Sequence, residues 1–473
     1  MSRPVRVRFA PSPTGFLHLG TLRSALFNYL LAKHHDGDFI LRIEDTDRER
    51  LVEGAIEQIQ ESLTWLGLAW NEGVERGGSH GPYIQSERLE LYRQHAEELI
   101  EKGFAYRDYT SAGKLAELRQ KAQESKQPFR FTKELATLEA PNEDAPYVIR
   151  FHITPGKDVS WNDAVWGKQT WQRSVLDDFV AIKSDGYPTY NFAVVVDDHL
   201  MEISHVLRGS EFLSTAPKNL LVYEAFGWEA PQYLHLPPVL GSDKAKLSKR
   251  HGAKSASEYR DAGYLPEAVF NYLASLGFND GTTKELYTEE ELIKVFNPSR
   301  IQSSPAVFDA ERLDWMNGSY IRELSTQELF ERCQDFWPAE ASTYDAEYKV
   351  KVLPLVHERL KYLAELPELT DFFFSDPDIL GKLPTKLDSH QRISLLEKTI
   401  ESLQESNFSE ADLEERIRAI AKAKEAKIGH YFGLLRVAIT GRTAAPGLFE
   451  TMHVLGKETT VRRLKQALKD FKA

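Results

Sequence analysis

Ten residues near the N-terminus, Pro11-Ser-Pro-Thr-Gly-Phe-Leu-His-Leu-Gly20, have the composition of a loop that grips phosphate. Two prolines stiffen the approach, and two glycines permit tight turns or close ligand contact. His18 can donate a hydrogen bond to a phosphate oxygen without carrying a fixed full charge. A histidine met alone in a loop is more often an ordinary loop residue. Here it lies between a strand pattern and a helix pattern, where backbone amides and the helix dipole bind phosphates, and that setting reverses the odds. The loop is neither a Gly-x-Gly-x-x-Gly fingerprint nor a Walker A sequence. A second cluster, Lys246-Leu-Ser-Lys-Arg250, has Lys244 just before it and Gly241 and Gly252 at its flanks. Its cations suit a polyphosphate whose charge grows toward a departing pyrophosphate. Taken alone, so short a Lys/Arg run reads as a solvated basic loop.

The elements that must position these loops follow from periodicity. Residues 5–10 alternate like a strand, and Leu22, Ala25, Leu26, Tyr29 and Leu30 recur at helical steps with Thr21 as the expected cap. Residues 38–44 read as a second strand. Strand, loop, helix and strand make a βαβ unit, hence a parallel sheet with its site at the strands' C-terminal ends. Val52 to Leu66 continues the pattern as a helix. From residue 106 to 188 the texture is mixed and polar, with Trp161, Trp166 and Trp171, which suggests an inserted domain. Sheet signals return with Phe192–Val196 and Glu202–Leu207, and beyond residue 256 the chain reads as helical, with turn signals at Gly277–Gly281 and Asn317-Gly318.

A chain of 473 residues is too long for one core, so two to four domains are expected. No run of about 18 apolar residues exists to span a membrane, and the N-terminus lacks the apolar stretch of a secretory signal. The lone Cys333, with no partner for a disulfide, fits a reducing cytoplasm and reads as buried and inert. The net charge of −12 argues against a nucleic-acid partner until its distribution is considered. From Arg416 onward there are 13 lysines and arginines against 4 acidic residues, a local +9 on a body of −21. That region can supply a phosphate-binding surface; equally, Arg462, Arg463, Lys465 and Lys469 can be the solvated face of a terminal helix.

The two loops together resemble the paired signatures of class I aminoacyl-tRNA synthetases: Arg8-Phe-Ala-Pro-Ser-Pro-Thr-Gly15 with His18-Leu-Gly20, and Lys246-Leu-Ser-Lys-Arg250. Leu41–Asp47, Ser184–Asn191, Val195–Met201 and Trp315–Gly318 are similar to the bacterial glutamyl-tRNA synthetase family in particular, and the resemblance covers essentially the whole chain. It implies a Rossmann-like doubly wound parallel sheet with an inserted α+β domain, then an all-α C-terminal half. The implied division is residues 1–105 and 189–255 for the catalytic domain, 106–188 for an inserted domain at the tRNA acceptor end, 256–321 for a helical stem-contact domain and 322–473 for an anticodon-binding region.

The implied roles place His18, Lys246 and Lys249 in catalysis, and His18, Gly20, Glu211, Phe212, Leu247 and Lys249 around ATP. Arg8, Ser12, Glu44, Tyr190 and Arg208 would surround glutamate. Their chemistry agrees, since an arginine fork matches a carboxylate and Glu44 could receive an ammonium. For each the ordinary alternative is a surface ion pair. The implied partners are tRNA(Glu), L-glutamate and ATP with Mg²⁺, in a monomeric, cytoplasmic enzyme without a membrane segment. Arg359 is the loose match to an anticodon-contacting arginine.

The sequence departs from the family pattern in three places. Thr21 and Arg250 replace the usual last residues of the signatures. Gly103-Phe-Ala-Tyr106 is followed by Arg107-Asp-Tyr-Thr110, without the cysteines that hold zinc in some relatives, so no zinc is expected. Asp197-Asp198-His199 could tempt a metal reading, but loop hydrogen bonding is the expected role. Rival readings are a shortened tRNA-base glutamylating enzyme, a glutaminyl-tRNA synthetase, an NAD-dependent dehydrogenase and a non-catalytic RNA binder. The roughly 150 residues after Ile321, their helical texture, the missing glycine fingerprint and the Lys246 loop argue against these in turn.

Overall fold

In the computed structural model, which describes residues 4–247, 254–379 and 386–472, the first strand is β1 (Arg6–Phe9). All four of its residues are buried, the two arginines included. The arginines are tolerated because each meets carboxylates: Arg6 pairs with Asp38 at 2.6 Å and Glu72 at 3.1 Å, and Arg8 with Asp198 at 3.0 Å. α1 (Leu19–His34) follows the loop and returns the chain to β2 (Asp38–Leu41), which pairs with β1 in parallel, Arg6 opposite Asp38. The expected βαβ unit is present. β2 stops three residues before Glu44, and beyond it only an isolated bridge from Ile43 to Ile84 continues the sheet. α2 (Ala55–Trp65) and β3 (Glu72–Gly73, parallel to β2) complete this edge.

After α3 (Leu89–Glu101) comes the polar stretch, and it is α+β. β4 (Ala105–Asp108), β5 (Val148–Phe151) and β8 (Phe179–Ile182) form an antiparallel sheet. α4 (Ala112–Glu124) lies between the first two in the chain, and β6 (Val159–Asp163) pairs with β7 (Gly167–Trp171) as a hairpin.

The chain re-enters the parallel layer through a helix where a strand was expected. Phe192–Val196 lies inside α5 (Tyr190–Leu200) and is buried on every side. A short apolar run looks alike in a buried strand and a buried helix, and packing decides. Here the run fills the space between α3, β5, β8 and α6 (Ala216–Phe226). Glu202–Leu207 becomes a turn and then β9 (His205–Gly209), parallel to β10 (Gln232–Leu236). Ser204 joins β9 to β1, its N–H donating to the Arg6 carbonyl at 2.9 Å while its Oγ accepts from the Arg6 N–H at 2.8 Å. β11 (Val239–Leu240) then runs parallel to β12 (Ala306–Val307).

The chain divides into two compact units, residues 1–259 with 269–310, and residues 260–268 with 311–473. The regular elements described in the second are helical, from α10 (Ala310–Glu323) to α17 (Leu448–Lys472); α7 to α9 (Ala256–Asp261, Pro266–Ser275, Glu289–Val295) precede them. The Asn317-Gly318 turn is absent. Both residues lie inside α10, where the Asn317 carboxamide accepts from the Leu265 N–H at 2.8 Å. Cys333 is fully buried at the end of α11 (Thr326–Arg332), and burial pushes its thiol up to about 12. α17 breaks at Gly456, whose φ of +79° glycine takes without strain. No helix among the described residues is long and apolar enough to cross a membrane.

Candidate active site

One cavity of about 920 Å³ opens in the first unit where the C-terminal ends of β1 and β9 meet the N-terminus of α1. Eleven of the residues singled out by sequence line it: Arg8, Ser12, His18, Gly20, Glu44, Tyr190, Arg208, Glu211, Phe212, Lys246 and Leu247. Lys249 lies outside the described residues. Arg359 belongs to the second unit, where its Nη2 donates to the Ala445 carbonyl at 2.9 Å.

The deep end is built from buried charge. Arg8, which lines the cavity, gives Nε and Nη2 to the two oxygens of Asp198, at 3.0 and 3.2 Å. Asp198 also takes Arg42 at 2.8 Å, and Arg42 holds Glu44 at 3.0 Å. Burial opposes ionisation of Asp198, but Arg8 and Arg42 outweigh it and hold the carboxyl below its ordinary value. Burial pushes Glu44 up, and its arginine neighbours only partly offset that. Arg208 is held on three sides: Nε on His235 Nε2 at 3.0 Å, Nη2 on Asn219 Oδ1 at 3.1 Å and Nη1 on the Tyr190 hydroxyl at 3.1 Å.

At the other end, the imidazole of His18 caps α1. The Thr21 N–H donates to His18 Nδ1 at 3.3 Å, so His18, and not Thr21, does the capping; an aromatic nitrogen fills the role usual for a Ser or Asn oxygen. Nε2 is thereby the protonated nitrogen and meets Thr21 Oγ1 at 3.2 Å. Gly20 makes room: a Cβ there would stand 3.2 Å from the imidazole. The free amides and positive dipole end of this helix face the cavity, where phosphates are favoured. Lys246 Nζ reaches Glu211 at 3.1 Å, an exposed and therefore weak pair. The Leu247 N–H donates to the Val239 carbonyl at 2.9 Å, which seats Leu247 in the wall. Phe212 lies against Tyr190 with ring centroids 5.0 Å apart.

Sequence reasoning missed the supports. Asp197 and Asp198 end α5 and anchor buried arginines, which replaces the loop role expected for them. Asp197 takes Arg88 at 2.7 Å and the Tyr92 hydroxyl at 2.8 Å. Arg23, on α1, is buried at the cavity wall on the carbonyls of Leu276 and Pro237, and burial lowers it to about 10. An arginine on the apolar face of a helix was the available signal for Arg23. For the carboxylates there was none, because their partners are distant in sequence.

Residues 4–315 match the family described as tRNA synthetases class I (E and Q), catalytic domain, and residues 328–468 match an anticodon binding domain. The glutamate–tRNA ligase of Dehalococcoides mccartyi (strain CBDB1) is 46% identical over 99% of this chain and 98% of its own length. That of Clostridium botulinum (strain Hall) is 44% identical over the full length of both. The crystal structure of a glutamate tRNA ligase from Elizabethkingia meningosepticum, in complex with its amino acid, is similar at a TM-score of 0.90 and 34% identity, covering 98% of this chain and 99% of that one. With a helix N-terminus beside an arginine-lined pocket and relatives matched from end to end, the chain belongs to the glutamate–tRNA ligase family of class I tRNA synthetases, enzymes that use ATP to aminoacylate tRNA.

Proposed function

We propose that this enzyme ligates L-glutamate to tRNA(Glu) through a glutamyl-adenylate. The observation that carries the reading is the buried charge at the deep end of the cavity. Two buried arginines, Arg8 and Arg208, line it with N–H groups to spare, beside the buried carboxylate of Glu44. Glutamate, with two carboxylates and one ammonium, brings one net negative charge. The side-chain carboxylate would meet Arg8 and Arg208, with Tyr190 and Ser12 beside it, and the ammonium would meet Glu44. Glutamine brings no net charge and leaves an arginine unpaired, the kind of mismatch that discriminates strongly.

The α-carboxylate has a pKa of about 3.5 and is ionised near neutral pH, so it attacks the α-phosphorus of ATP without a base. The bond to the β-phosphate oxygen breaks and pyrophosphate leaves. His18 Nε2, the amides at the start of α1, Lys246 and, outside the described residues, Lys249 would stabilise the growing charge. Gly20, Glu211, Phe212 and Leu247 would enclose the nucleotide. Mg²⁺, when bound, supplies further neutralisation of the phosphates; such ions take one or two carboxylates and otherwise substrate oxygens, and the rim offers Asp47 and Glu49. In the second step the 2′-hydroxyl of the terminal adenosine attacks the mixed anhydride, losing its proton as AMP departs.

Residues 106–188 would meet the acceptor end of the tRNA, 256–321 its stem and 322–473 its anticodon, in a monomeric cytoplasmic enzyme free of zinc. Charging of a panel of purified tRNAs tests the central reading: glutamate should enter tRNA(Glu), and failure to charge it refutes the proposal. ATP–pyrophosphate exchange should require cognate tRNA. Sedimentation should give a monomer, and elemental analysis should find no stoichiometric zinc. Arg359→Gln should relax the choice between tRNA(Glu) and tRNA(Gln); unchanged selectivity removes Arg359 from that role.

A further inference from the structure

Behind Arg208, on the side away from the cavity, lies a buried histidine that the reaction does not use. His235 is not among the residues that line the cavity; it is a β10 residue with no exposed surface. Its Nδ1 meets Asp163 Oδ2 at 2.6 Å, and its Nε2 meets Arg208 Nε at 3.0 Å. The other oxygen of Asp163 is occupied by backbone amides, those of Val165 at 3.0 Å, Trp166 at 3.1 Å and His235 itself at 3.3 Å.

These partners determine the proton. Asp163 only accepts, so the proton of the imidazole sits on Nδ1, and the Nε2 lone pair accepts from the guanidinium N–H. The other tautomer or the imidazolium would set N–H against N–H. Burial, aided by the charges of Arg208 and Arg8, lowers the imidazole below its ordinary value despite Asp163, which favours the neutral form. Four of the five Arg208 N–H groups are then spent on protein: one on His235, two on Asn219 and the Phe212 carbonyl, and one on Tyr190. One Nη1–H remains without a partner among the described residues, and Arg208 lines the cavity.

We propose that Asp163 and His235 are positioning residues for the glutamate pocket: Asp163, at the end of the β6 strand, fixes the His235 tautomer, and His235 fixes the plane of the Arg208 guanidinium. The inference rests on the reading of the cavity as a glutamate site. It links the β6–β7 hairpin to the specificity end of the cavity, since Asp163 and Trp166 dock that hairpin on β10, the Trp166 indole donating to the His235 carbonyl at 2.8 Å.

Substitutions separate the two contacts of the ring. His235→Gln can return an acceptor to Arg208, whereas His235→Asn keeps a partner for Asp163 and withdraws that acceptor. Asp163→Asn keeps the shape but presents an amide donor to Nδ1, forcing the wrong tautomer. In the full-length enzyme, His235→Asn and Asp163→Asn should raise KM for glutamate about tenfold or more, the worth of one hydrogen bond to a charged group, with KM for ATP unchanged. His235→Gln should stay within about threefold of the parent. A merely structural role would make all three lower the thermal midpoint without this split. If Asn and Gln at 235 act alike, or Asp163→Asn leaves KM unmoved, the relay is refuted. Arg208→Lys serves as the control: if it too leaves KM for glutamate unmoved, the glutamate-site reading fails instead. Should the variants fold poorly, nitrogen NMR of the parent enzyme with labelled histidine decides. A neutral, Nδ1-protonated His235 between pH 6 and 8 is expected, and an Nε2-protonated or doubly protonated ring overturns the proposal.

Discussion

Asp198→Asn is the substitution that most directly probes the buried charge of the site. The carboxylate is nearly inaccessible and receives three hydrogen bonds, two from Arg8 and one from Arg42. Removing one partner from a buried ion set costs about 3–5 kcal/mol, because the remaining charge cannot return to water. Asparagine keeps one accepting oxygen, and Arg42 keeps Glu44, so the lower end of the range applies, about 3 kcal/mol. A unit of this size loses roughly 2 °C per kcal/mol, giving a fall of about 6 °C in the transition of the first unit. The pH dependence gives a second signature. Because the folded-state pKa of Asp198 lies below its ordinary value, its contribution is present above the ordinary carboxylate range and is lost as the pH falls through the depressed value. Calorimetry across a pH series should show the parent losing this increment in acid while Asp198→Asn, which never has it, follows a flatter limb. A variant within about 1 kcal/mol of the parent, with the same acid limb, would refute the reasoning.

Further expectations concern single residues. Gly20→Ala should place a methyl group against the His18 imidazole, raising KM for ATP or lowering kcat while circular dichroism stays unchanged. Glu44 has a raised pKa from burial, and an ammonium prefers its ionised form; glutamate affinity should therefore fall as pH drops from neutral through that raised value, and Glu44→Gln should abolish this dependence along with most of the affinity, as titration calorimetry can check. Cys333, buried and pushed up to about 12, should resist thiol reagents at pH 8 in the native state and react only on unfolding.

The parts of the site that were legible in sequence are those made by neighbours along the chain. The proline- and glycine-bounded loop, the helix after it and the lysine cluster each announce a local geometry, and Arg8 and Glu44 fall within strand patterns. Phe192–Val196 failed because its residues satisfy a strand and a buried helix equally, and only the space left by α3 and α6 selects the helix. The anchors failed for a different reason. Asp198 is 190 positions from Arg8, and Asp163 is 72 from His235, so no periodicity or motif connects them. The position of Asp197 and Asp198 also runs against local rules, since carboxylates are disfavoured by the dipole at a helix C-terminus. Tertiary arginines override that preference, and nothing in the helix itself foretells them.

The same contacts explain why the two ends of the cavity are built so differently. At the proposed amino-acid end, Arg208 has, among the described residues, one N–H left over and Arg8 has two of its five committed to Asp198, all in a buried frame of paired charges. Such donors cannot follow a ligand; they accept a carboxylate at one place or leave a charge unpaired, which is what selection between glutamate and glutamine demands. At the proposed phosphate end, Lys246 is 62% exposed and, among the described residues, pairs with a half-exposed Glu211. A contact that weak would be exchanged at little cost for a phosphate oxygen in the proposed reaction and released again as pyrophosphate leaves. On the proposed mechanism, rigid charge would choose the substrate, and loosely held charge would follow the group that departs.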